Sequence, residues 1–349
     1  MTNKHSEEDA PSSKKGFLYK ILWVVTCIHL LGVVGYWGAL TFFSADSKYI
    51  SALAYMPTFP LFFSSLFLVA LSAFSRSRWC GSLNAVALLL VCFGVMGFQL
   101  GQFRKVKKPP KVPKLRLMTL NIFRGMGGSK NVVQAIRAHN PDIFALQEAY
   151  GFGRRQDPPL AIVREMPDYY FARKGYLLLG SRFPILDWKA RDLGVSGRRR
   201  HALEVRIMWR GMKLTIFNAH LLTLVRGKDM KDWATFTGTI KRLFRLRNVQ
   251  LGRLMKWVKK SQGPTFLMGD FNTPPRGHFY QKMTEDFTDT FAEVGWGFGH
   301  SFTYRKVPLL RIDYILSSKH FRPIRAFVPK VMVSDHRPVV TDLFPKDWK

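Results

Sequence analysis

Six short segments of this sequence place acid, amide or imidazole side chains directly after apolar runs. Such groups can bind a hard cation, hold a phosphate or carry a proton, which is the chemistry of phosphate ester hydrolysis. Any one of them alone is more often a turn former or a helix cap, but six together are difficult to attribute to turns. The segments are Asn121, Gln147-Glu148, Asn218-Ala219-His220, Gly269-Asp270-Phe271-Asn272, Arg311-Ile312-Asp313 and Ser334-Asp335-His336.

The side-chain types in these segments favour a magnesium-dependent hydrolase. Four carboxylates and two amides supply oxygen ligands of the kind that hard cations prefer. Two imidazoles can donate protons to a phosphoryl oxygen or hold an orienting hydrogen bond. The chain has only 3 Cys, which favours Mg²⁺ over zinc, with Mn²⁺ as its substitute. The eight residues are Glu148, Asp270, Asp313, Asp335, Asn121, Asn272, His220 and His336.

Short apolar segments typical of β-strands must position these groups, since a strand that ends in a polar side chain puts it at the rim of a sheet. Helices are predicted at Asn131–His139 and Phe236–Lys260. Many strands and few helices predict stacked sheets with helices outside, an α/β sandwich. The predicted strands are Leu115–Asn121, Ile143–Gln147, Tyr176–Ser181, His201–Trp209, Lys213–Asn218, Thr265–Met268, Arg311–Leu316 and Pro338–Leu343.

The chain resembles the endonuclease/exonuclease/phosphatase superfamily, with the DNase I-like fold, over about Lys114–Phe344. The resemblance implies a four-layer α/β sandwich of two central sheets flanked by helices. It also implies Mg²⁺-dependent hydrolysis of a phosphodiester or a phosphomonoester. The segments that carry it occur in the order TLNIFRG, DIFALQEAY, LLLGSRFPI, FNAHLL, LMGDFNTPP, RIDYIL and SDHRPVV.

The resemblance also implies roles for the eight residues. Glu148 would be the principal metal ligand, with Asn121 and Asp335 nearby. His336, oriented by Asp313, would be the catalytic histidine. The remaining three would act on water and phosphate: Asp270 would position or deprotonate the attacking water, Asn272 would stabilise the developing oxyanion, and His220 would be a second imidazole facing the phosphate. The role of base is assigned jointly to Asp270 and the His336–Asp313 pair.

Departures from two branches of the superfamily weaken two substrate assignments. The inositol-phosphatase branch usually carries Trp-Cys-Asp-Arg where this chain has Leu310–Asp313. The abasic-site endonuclease branch usually has Thr-Lys after its metal-binding Glu, where this chain has Ala149-Tyr150, and it lacks the histidine of Asn218–Leu221. The sequence also resembles membrane-anchored bacterial members of the superfamily, which implies a multi-pass protein of the bacterial inner membrane.

The first part of the chain predicts three transmembrane helices. Ile21–Phe43, Ile50–Phe74 and Ser82–Phe103 contain no charged residue, and each reaches the ~20 residues that cross a ~30 Å hydrocarbon layer. Pro57 and Pro60 are predicted to kink the second span. Basic residues are nearly balanced between the two sides, so the sequence leaves the orientation open.

The predicted domains are therefore a polar tail at residues 1–16, membrane helices within residues 17–103, a basic Pro-rich linker at residues 104–114, and a catalytic domain at residues 115–345. The basic residues of the linker also predict a contact with anionic lipid headgroups. His29 within the first span is interpreted as a neutral imidazole packed against a neighbouring helix.

The charge balance favours a polyanionic partner, because 54 Lys and Arg oppose 23 Asp and Glu for a net charge of +31. Arg124, Arg200, Arg226 and Trp233 are the candidate substrate-binding residues. A nuclease acting on DNA or RNA is the favoured interpretation. A phosphodiesterase or phosphatase acting on phospholipid or inositol-phosphate headgroups is the alternative, and a non-catalytic anion-binding scaffold is a weaker one.

Overall fold

The computed structural model describes residues 10–101, 112–150, 158–194, 200–224 and 232–346. Most of the predicted linker lies outside the described residues. The chain divides into two compact units. The helical unit comprises Met1–Phe43 and Met56–Gly97, and the layered unit comprises Ser44–Tyr55 and Phe98–Lys349.

Within the residues that the structure describes, the helical unit contains three apolar helices. Its helices are α1 (Ala10–Gly38), which continues as a π-helix over Ala39–Phe43, α3 (Phe59–Phe74), and α4 (Arg78–Leu89), which continues as a π-helix over Leu90–Val95. Among the described residues, the two stretches Gly16–Phe43 and Arg78–Val95 are long and apolar enough to cross a membrane. Buried polar groups bond to one another between these helices, as Asn84 Nδ2 does to Thr26 Oγ1 at 3.0 Å.

The prediction of three uninterrupted spans is not confirmed. The expected second span, Ile50–Phe74, is broken: α2 (Lys48–Leu53) belongs to the layered unit, and α3 begins only at Phe59. The 16 residues of α3 reach about 24 Å, less than the ~30 Å of a hydrocarbon core. Pro60 lies in the first turn of α3, where its missing N–H is tolerated, so it starts this helix and does not kink it.

The end of the third apolar stretch differs from the prediction, whereas His29 lies where it was expected. The third apolar stretch ends at Val95 and not at Phe103, because the chain leaves the helix there and forms the short strand β1 (Gln99–Leu100). His29 Nε2 lies 2.9 Å from Ser65 Oγ of α3, as expected for an imidazole packed against a neighbouring helix.

Two six-stranded sheets form the centre of the layered unit. Each has one parallel pair in its middle, β2 (Leu115–Asn121) with β3 (Ile143–Gln147) and β8 (Met212–His220) with β9 (Thr265–Asp270), and antiparallel neighbours on both sides. In spatial order sheet I is β15 (Phe321–Phe327), β16 (Val339–Pro345), β2 (Leu115–Asn121), β3 (Ile143–Gln147), β5 (Leu177–Ser181) and β4 (Tyr170–Lys174). In spatial order sheet II is β10 (Thr288–Asp289), β14 (Asp313–Ser317), β9 (Thr265–Asp270), β8 (Met212–His220), β7 (His201–Trp209) and β6 (Ile185–Asp192).

Helices cover the outer faces of both sheets, so the unit is the expected layered α/β sandwich. Sheet I packs against α5 (Ser129–His139) and α6 (Pro158–Glu165), and sheet II packs against α7 (Trp233–Lys260) and α8 (His278–Thr284). The remaining elements are α9 (Thr290–Val294), a 3₁₀ turn at Phe123–Gly125, and the two-stranded pairs of β1 with β11 (Trp296–Gly297) and β12 (Phe302–Tyr304) with β13 (Val307–Leu310).

The two-residue period of the strands determines which side chains meet between the sheets. Leu115 and Leu117 of β2 and Phe266 and Met268 of β9 lie in the core between the sheets, and the residues that alternate with them face the outer helices. Continuing the same period places the last residue of each strand, Asn121 or Asp270, on the inner face as well. The sheet ends therefore bring polar groups together at one edge of the inter-sheet core.

Candidate active site

His336 and Asp313 form a buried hydrogen-bonded pair. Asp313 is the first residue of β14, and His336 precedes β16. His336 Nδ1 donates to Asp313 Oδ2 at 2.8 Å. Burial alone would lower the pKa of the imidazole, but the carboxylates of Asp313 and Asp270 together raise the pKa above its ordinary value. His336 is therefore held as a cation whose Nε2 faces away from Asp313.

Asp270, the last residue of β9, lies opposite Asp313 in the antiparallel ladder. Its carboxylate accepts hydrogen bonds from Asn121 Nδ2 at 2.9 Å and from the Asn272 N–H at 2.8 Å. Oδ2 lies 3.8 Å from His336 Nε2. Burial raises the pKa of Asp270, and the nearby charge of Asp313 raises it further. A carboxylate in this setting accepts a proton more readily than an exposed one.

His220 is the last residue of β8 and lies beside Asp270 in the parallel pair. Its Nε2 is 3.5 Å from Asp270 Oδ2 and 4.0 Å from Glu148 Oε1. Burial, followed by the charges of Arg200 and His336, lowers its pKa well below the ordinary value, so it is a neutral imidazole. Arg200 donates from Nη1 to the carbonyl oxygens of His220 and Leu221, each at 3.2 Å.

Glu148 follows β3 on the more open side of the site, where 22% of its side chain is exposed. Its φ of +50° lies in the left-handed region, which a glutamate rarely adopts outside a constrained site. Oε2 lies 3.8 Å from Arg124 Nε, and the Arg124 guanidinium lies 5.5 Å from the centre of the Tyr150 ring. A carboxylate and a cation therefore face solvent here.

Three of the predicted residues make further local contacts. Asn272, with a φ of +47°, donates from Nδ2 to the Leu221 carbonyl at 3.1 Å. The Asp335 carboxylate accepts a hydrogen bond from Ser334 Oγ at 3.1 Å, and its charge also contributes to the raised pKa of His336. The amide oxygen of Asn121 accepts from the Phe123 N–H at 3.0 Å. The roles of all three residues remain predictions.

Of Glu148, Asp270, Asp313, Asp335 and His336, which were expected to surround one ion, the structure brings three together as a group. Asp270, Asp313 and His336 each offer one ligand atom, and these three atoms lie within 4.8 Å of one another. Glu148 lies next to this group, because its Oε1 is 4.0 Å from Nε2 of His220, which in turn is 3.5 Å from Asp270 Oδ2. The carboxylate of Asp335 is not in the group, because the turn that presents His336 directs it toward Ser334.

Two of the predicted substrate-binding residues lie beside the site, Arg124 next to Glu148 and Arg200 against the backbone of His220. Arg226 lies outside the described residues. Trp233 is the first residue of α7, and the position of its side chain is not described. The helix begins there and not at Phe236 because Asp232 caps it by accepting from the Thr235 N–H at 2.8 Å.

The buried groups fit a divalent cation. Asp313 Oδ1 is buried and has no hydrogen-bond partner among the described residues. An unpaired carboxylate oxygen is costly to bury unless a cation or a proton compensates it. Carboxylate and amide oxygens with no cysteine nearby are a set that suits Mg²⁺ or Mn²⁺.

Two buried amides that were not assigned a role connect the sheets beneath the site. Gln147 Nε2 of sheet I donates to Asn218 Oδ1 of sheet II at 2.8 Å. Asn218 Nδ2 in turn donates to the carbonyl oxygens of Leu146 and Leu178, each at 3.1 Å. The sequence does carry a signal for this connection, because each apolar strand has an amide at an inward position and buried amides need hydrogen-bond partners. These bonds fix the separation of the strands that carry Glu148 and His220.

The sequence matches the Endonuclease/Exonuclease/phosphatase family over residues 118–336. An uncharacterized protein of Caenorhabditis elegans is 25% identical over an alignment of 228 positions that covers 52% of this chain and 66% of that protein, so this chain spans only part of its length. Among solved structures, the mannosyl-6-phosphatase Bt3783 of Bacteroides thetaiotaomicron has a TM-score of 0.52 at 16% identity, covering 66% of this chain and 99% of its own. TDP2 of D. rerio, complexed with a single-strand DNA product, has a TM-score of 0.51 at 15% identity, with the same coverage. These two likenesses show the shared sandwich fold.

Proposed function

Because this chain belongs to the Endonuclease/Exonuclease/phosphatase family and is a metal-dependent phosphoester hydrolase, we propose that it cleaves phosphodiester bonds of DNA or RNA. The observation that carries the proposal is the buried group of Asp270, Asp313 and His336, whose ligand atoms lie within 4.8 Å of one another. This group combines a cationic donor and a carboxylate acceptor, both of which phosphate ester hydrolysis requires.

Glu148, Asn121 and Asp335 are the residues proposed to hold the metal. Mg²⁺ supplies charge neutralisation of the phosphate when bound, and Mn²⁺ can replace it. Glu148 and Asp335 are both partly exposed, 22% of the Glu148 side chain being accessible, whereas Asn121 is buried. The hydrogen bond from Asn121 Nδ2 to Asp270 would link the metal-binding side to the proton-transfer side.

The remaining residues handle protons and developing charge. His336, held by Asp313, donates a hydrogen bond from Nε2 to a phosphoryl oxygen or to the leaving group. Asp270 accepts the proton of the attacking water, consistent with its raised pKa. His220 is neutral and donates to the phosphate without adding charge. Asn272 is proposed to stabilise the oxyanion, for which its side chain would leave the Leu221 carbonyl.

Nucleic acid is the proposed substrate because the net charge of +31 favours a polyanion. Arg124 and Arg200 beside the site can contact the phosphates that flank the cleaved bond. The D. rerio TDP2 structure, which contains a single-strand DNA product, has the same fold and supports this choice by analogy.

We further propose that the apolar helices within residues 17–103 anchor the enzyme in a membrane. The polar tail then covers residues 1–16, the linker residues 104–114 and the catalytic domain residues 115–345. Large apolar side chains of the helical unit support this proposal, since Leu31, Phe63 and Phe67 are each more than 60% exposed. We propose that the chain is a multi-pass protein of the bacterial inner membrane. Such an anchor also favours the second candidate, hydrolysis of phospholipid or inositol-phosphate headgroups.

The deciding experiment uses the purified full chain in nanodiscs with Mg²⁺. We expect cleavage of plasmid DNA or RNA that EDTA abolishes, that His336→Ala abolishes, and that declines steeply with salt. His139→Ala, a histidine of α5 outside the site, serves as the matched control and retains cleavage. Release of lipid or inositol headgroups with no turnover of nucleic acid would instead establish the second candidate.

A further inference from the structure

The connection between the first two apolar helices is part of the layered unit. Ser44–Tyr55 lies in the sequence between α1 and α3, yet it clusters with the residues of the candidate active site. Ala52 of α2 is 3% exposed and packs into the core on the outer face of sheet II. The ring of Tyr55 packs against the same core. A solvated loop joining two helices would need neither contact.

Hydrogen bonds tie this connection to the segment that follows β9. Tyr55 Oη donates to the Asn272 carbonyl oxygen at 2.7 Å. Arg276 donates to the Ala54 carbonyl oxygen from Nε at 3.1 Å and from Nη2 at 2.7 Å. The His278 N–H donates to Ser44 Oγ at 2.8 Å. All these bonds end on residues 272–278, which carry Asn272 and lead into α8.

Arg247 of α7 also holds this segment. This buried guanidinium donates from Nη2 to the Phe271 carbonyl at 3.2 Å and to Thr273 Oγ1 at 2.5 Å. The residue between them, Asn272, has its carbonyl held by Tyr55 and its N–H bonded to Asp270 Oδ1. Tyr55 therefore restrains the carbonyl of the residue whose N–H bonds to the Asp270 carboxylate.

We propose that Ser44–Tyr55 is a clamp on the catalytic loop and that Tyr55 is a positioning residue for Asn272 and, through it, for Asp270. The proposal rests on the proposed function in assigning catalytic work to those two residues. Asn272 has a left-handed backbone, a conformation that asparagine adopts more readily than most residues. The Tyr55 hydroxyl restrains this residue at its carbonyl. The clamp lies outside residues 118–336, so the region that matches the family lacks part of what orders its active site.

The test compares Tyr55→Phe with Tyr49→Phe in the full chain. Tyr49 lies on the same connection but is 42% exposed, so its substitution is the matched control. We expect Tyr55→Phe to lower kcat about tenfold with KM within about twofold, because the loss is one of orientation and not of substrate binding. Amide hydrogen exchange in residues 270–279 should become about tenfold faster in the same variant. Tyr49→Phe should change neither quantity.

A second variant, Arg276→Lys, keeps the cation but loses the paired donation to Ala54, and we expect the same pattern from it. Unchanged exchange in both variants would overturn the clamp. Faster exchange with unchanged kcat would overturn the positioning role. If the wild-type chain hydrolyses no phosphate ester, faster exchange in Tyr55→Phe would still establish the clamp, and only the proposed function would fail.

Discussion

Sheet I and sheet II have the same strand arrangement but contribute different groups to the candidate site. Sheet I delivers Asn121 and, directly after β3, Glu148, whose side chain is 22% exposed. Sheet II delivers His220, Asp270 and Asp313, of which none exceeds 5% exposure. Glu148 is therefore the accessible group of this comparison, whereas Asn121 of sheet I, at 2% exposure, is as buried as the three groups of sheet II.

This difference separates two kinds of chemistry. Charges interact more strongly where water is excluded, so groups that share protons benefit from burial. A metal ligand needs access for a hydrated ion, so exposure suits Glu148. Substitutions of the buried groups, which are those of sheet II together with His336 before β16, should accordingly change the chemical step, and substitution of the exposed Glu148 should change metal or substrate binding.

We expect the largest effect from Asp270→Asn, a fall in kcat of about 10³-fold, because the amide cannot accept the proton of water. Without metal, the variant should melt no lower than wild type, since a buried charge facing Asp313 is removed. Steady-state kinetics and thermal unfolding in EDTA measure the two quantities. A variant that melts lower and keeps its activity would mean that Asp270 has only a structural role.

Glu148→Gln should weaken the apparent Mg²⁺ affinity about 100-fold, with a smaller change in kcat at saturating Mg²⁺, because an amide binds a hard cation less well than a carboxylate. Mg²⁺ should also cease to raise the melting temperature at concentrations that stabilise the wild type. Glu204→Gln, which removes a sheet II carboxylate paired with Arg191, is the control and should leave the Mg²⁺ titration unchanged. An unaltered Mg²⁺ dependence in Glu148→Gln would contradict the division between the exposed Glu148 and the buried groups.

Asp342→Asn makes the same exchange as Asp270→Asn in a buried carboxylate of sheet I. Arg116 donates to Asp342 from Nε at 2.6 Å and from Nη2 at 2.9 Å. Breaking this pair should lower the free energy of unfolding by about 2 kcal/mol, less than for a fully buried pair because Arg116 is partly exposed. Urea unfolding measures the loss, and kcat should stay within about twofold of wild type. A large loss of kcat would show that burial alone, and not position at the site, makes a carboxylate important.

The smallest effect is expected for Arg124→Gln, a rise in KM of about fivefold with kcat unchanged, because an exposed cation contributes modestly to substrate attraction. The rise should disappear at high salt, where the charge is screened. Arg206→Gln, which removes an exposed cation paired with Asp187, should leave KM unchanged. Equal effects of the two substitutions would point to net charge and not to the position of Arg124.

The sequence predicted the strands better than the site. β2, β3 and β7 have the predicted bounds, because strict alternation and compact apolar runs leave little freedom in where a strand ends. The two-residue period of a strand also accounts for the inward direction of side chains at its end, such as that of Asp270. Asp335 differs because a turn directs it, and turns depend on contacts that are remote in sequence.

The clamp shows why other features were not predicted. Tyr55 lies in a stretch that resembles a membrane span, and an aromatic residue there is indistinguishable from one that faces lipid. Pro57 and Pro60 were interpreted as kinks, although a helix that starts at Phe59 with proline in its first turn explains Pro60 better. The acceptor of Tyr55 lies 217 residues further along the chain, beyond the reach of any local pattern.

That separation affects the order in which the protein can assemble during synthesis. A ribosome that adds about 5–20 residues per second needs roughly 11–43 s to travel from Tyr55 to Asn272. Throughout this interval α2 has been synthesised, but α8 and the loop after β9 have not. The earliest part of the layered unit to be made is thus among the last to be secured, and a chaperone has that time in which to act on it.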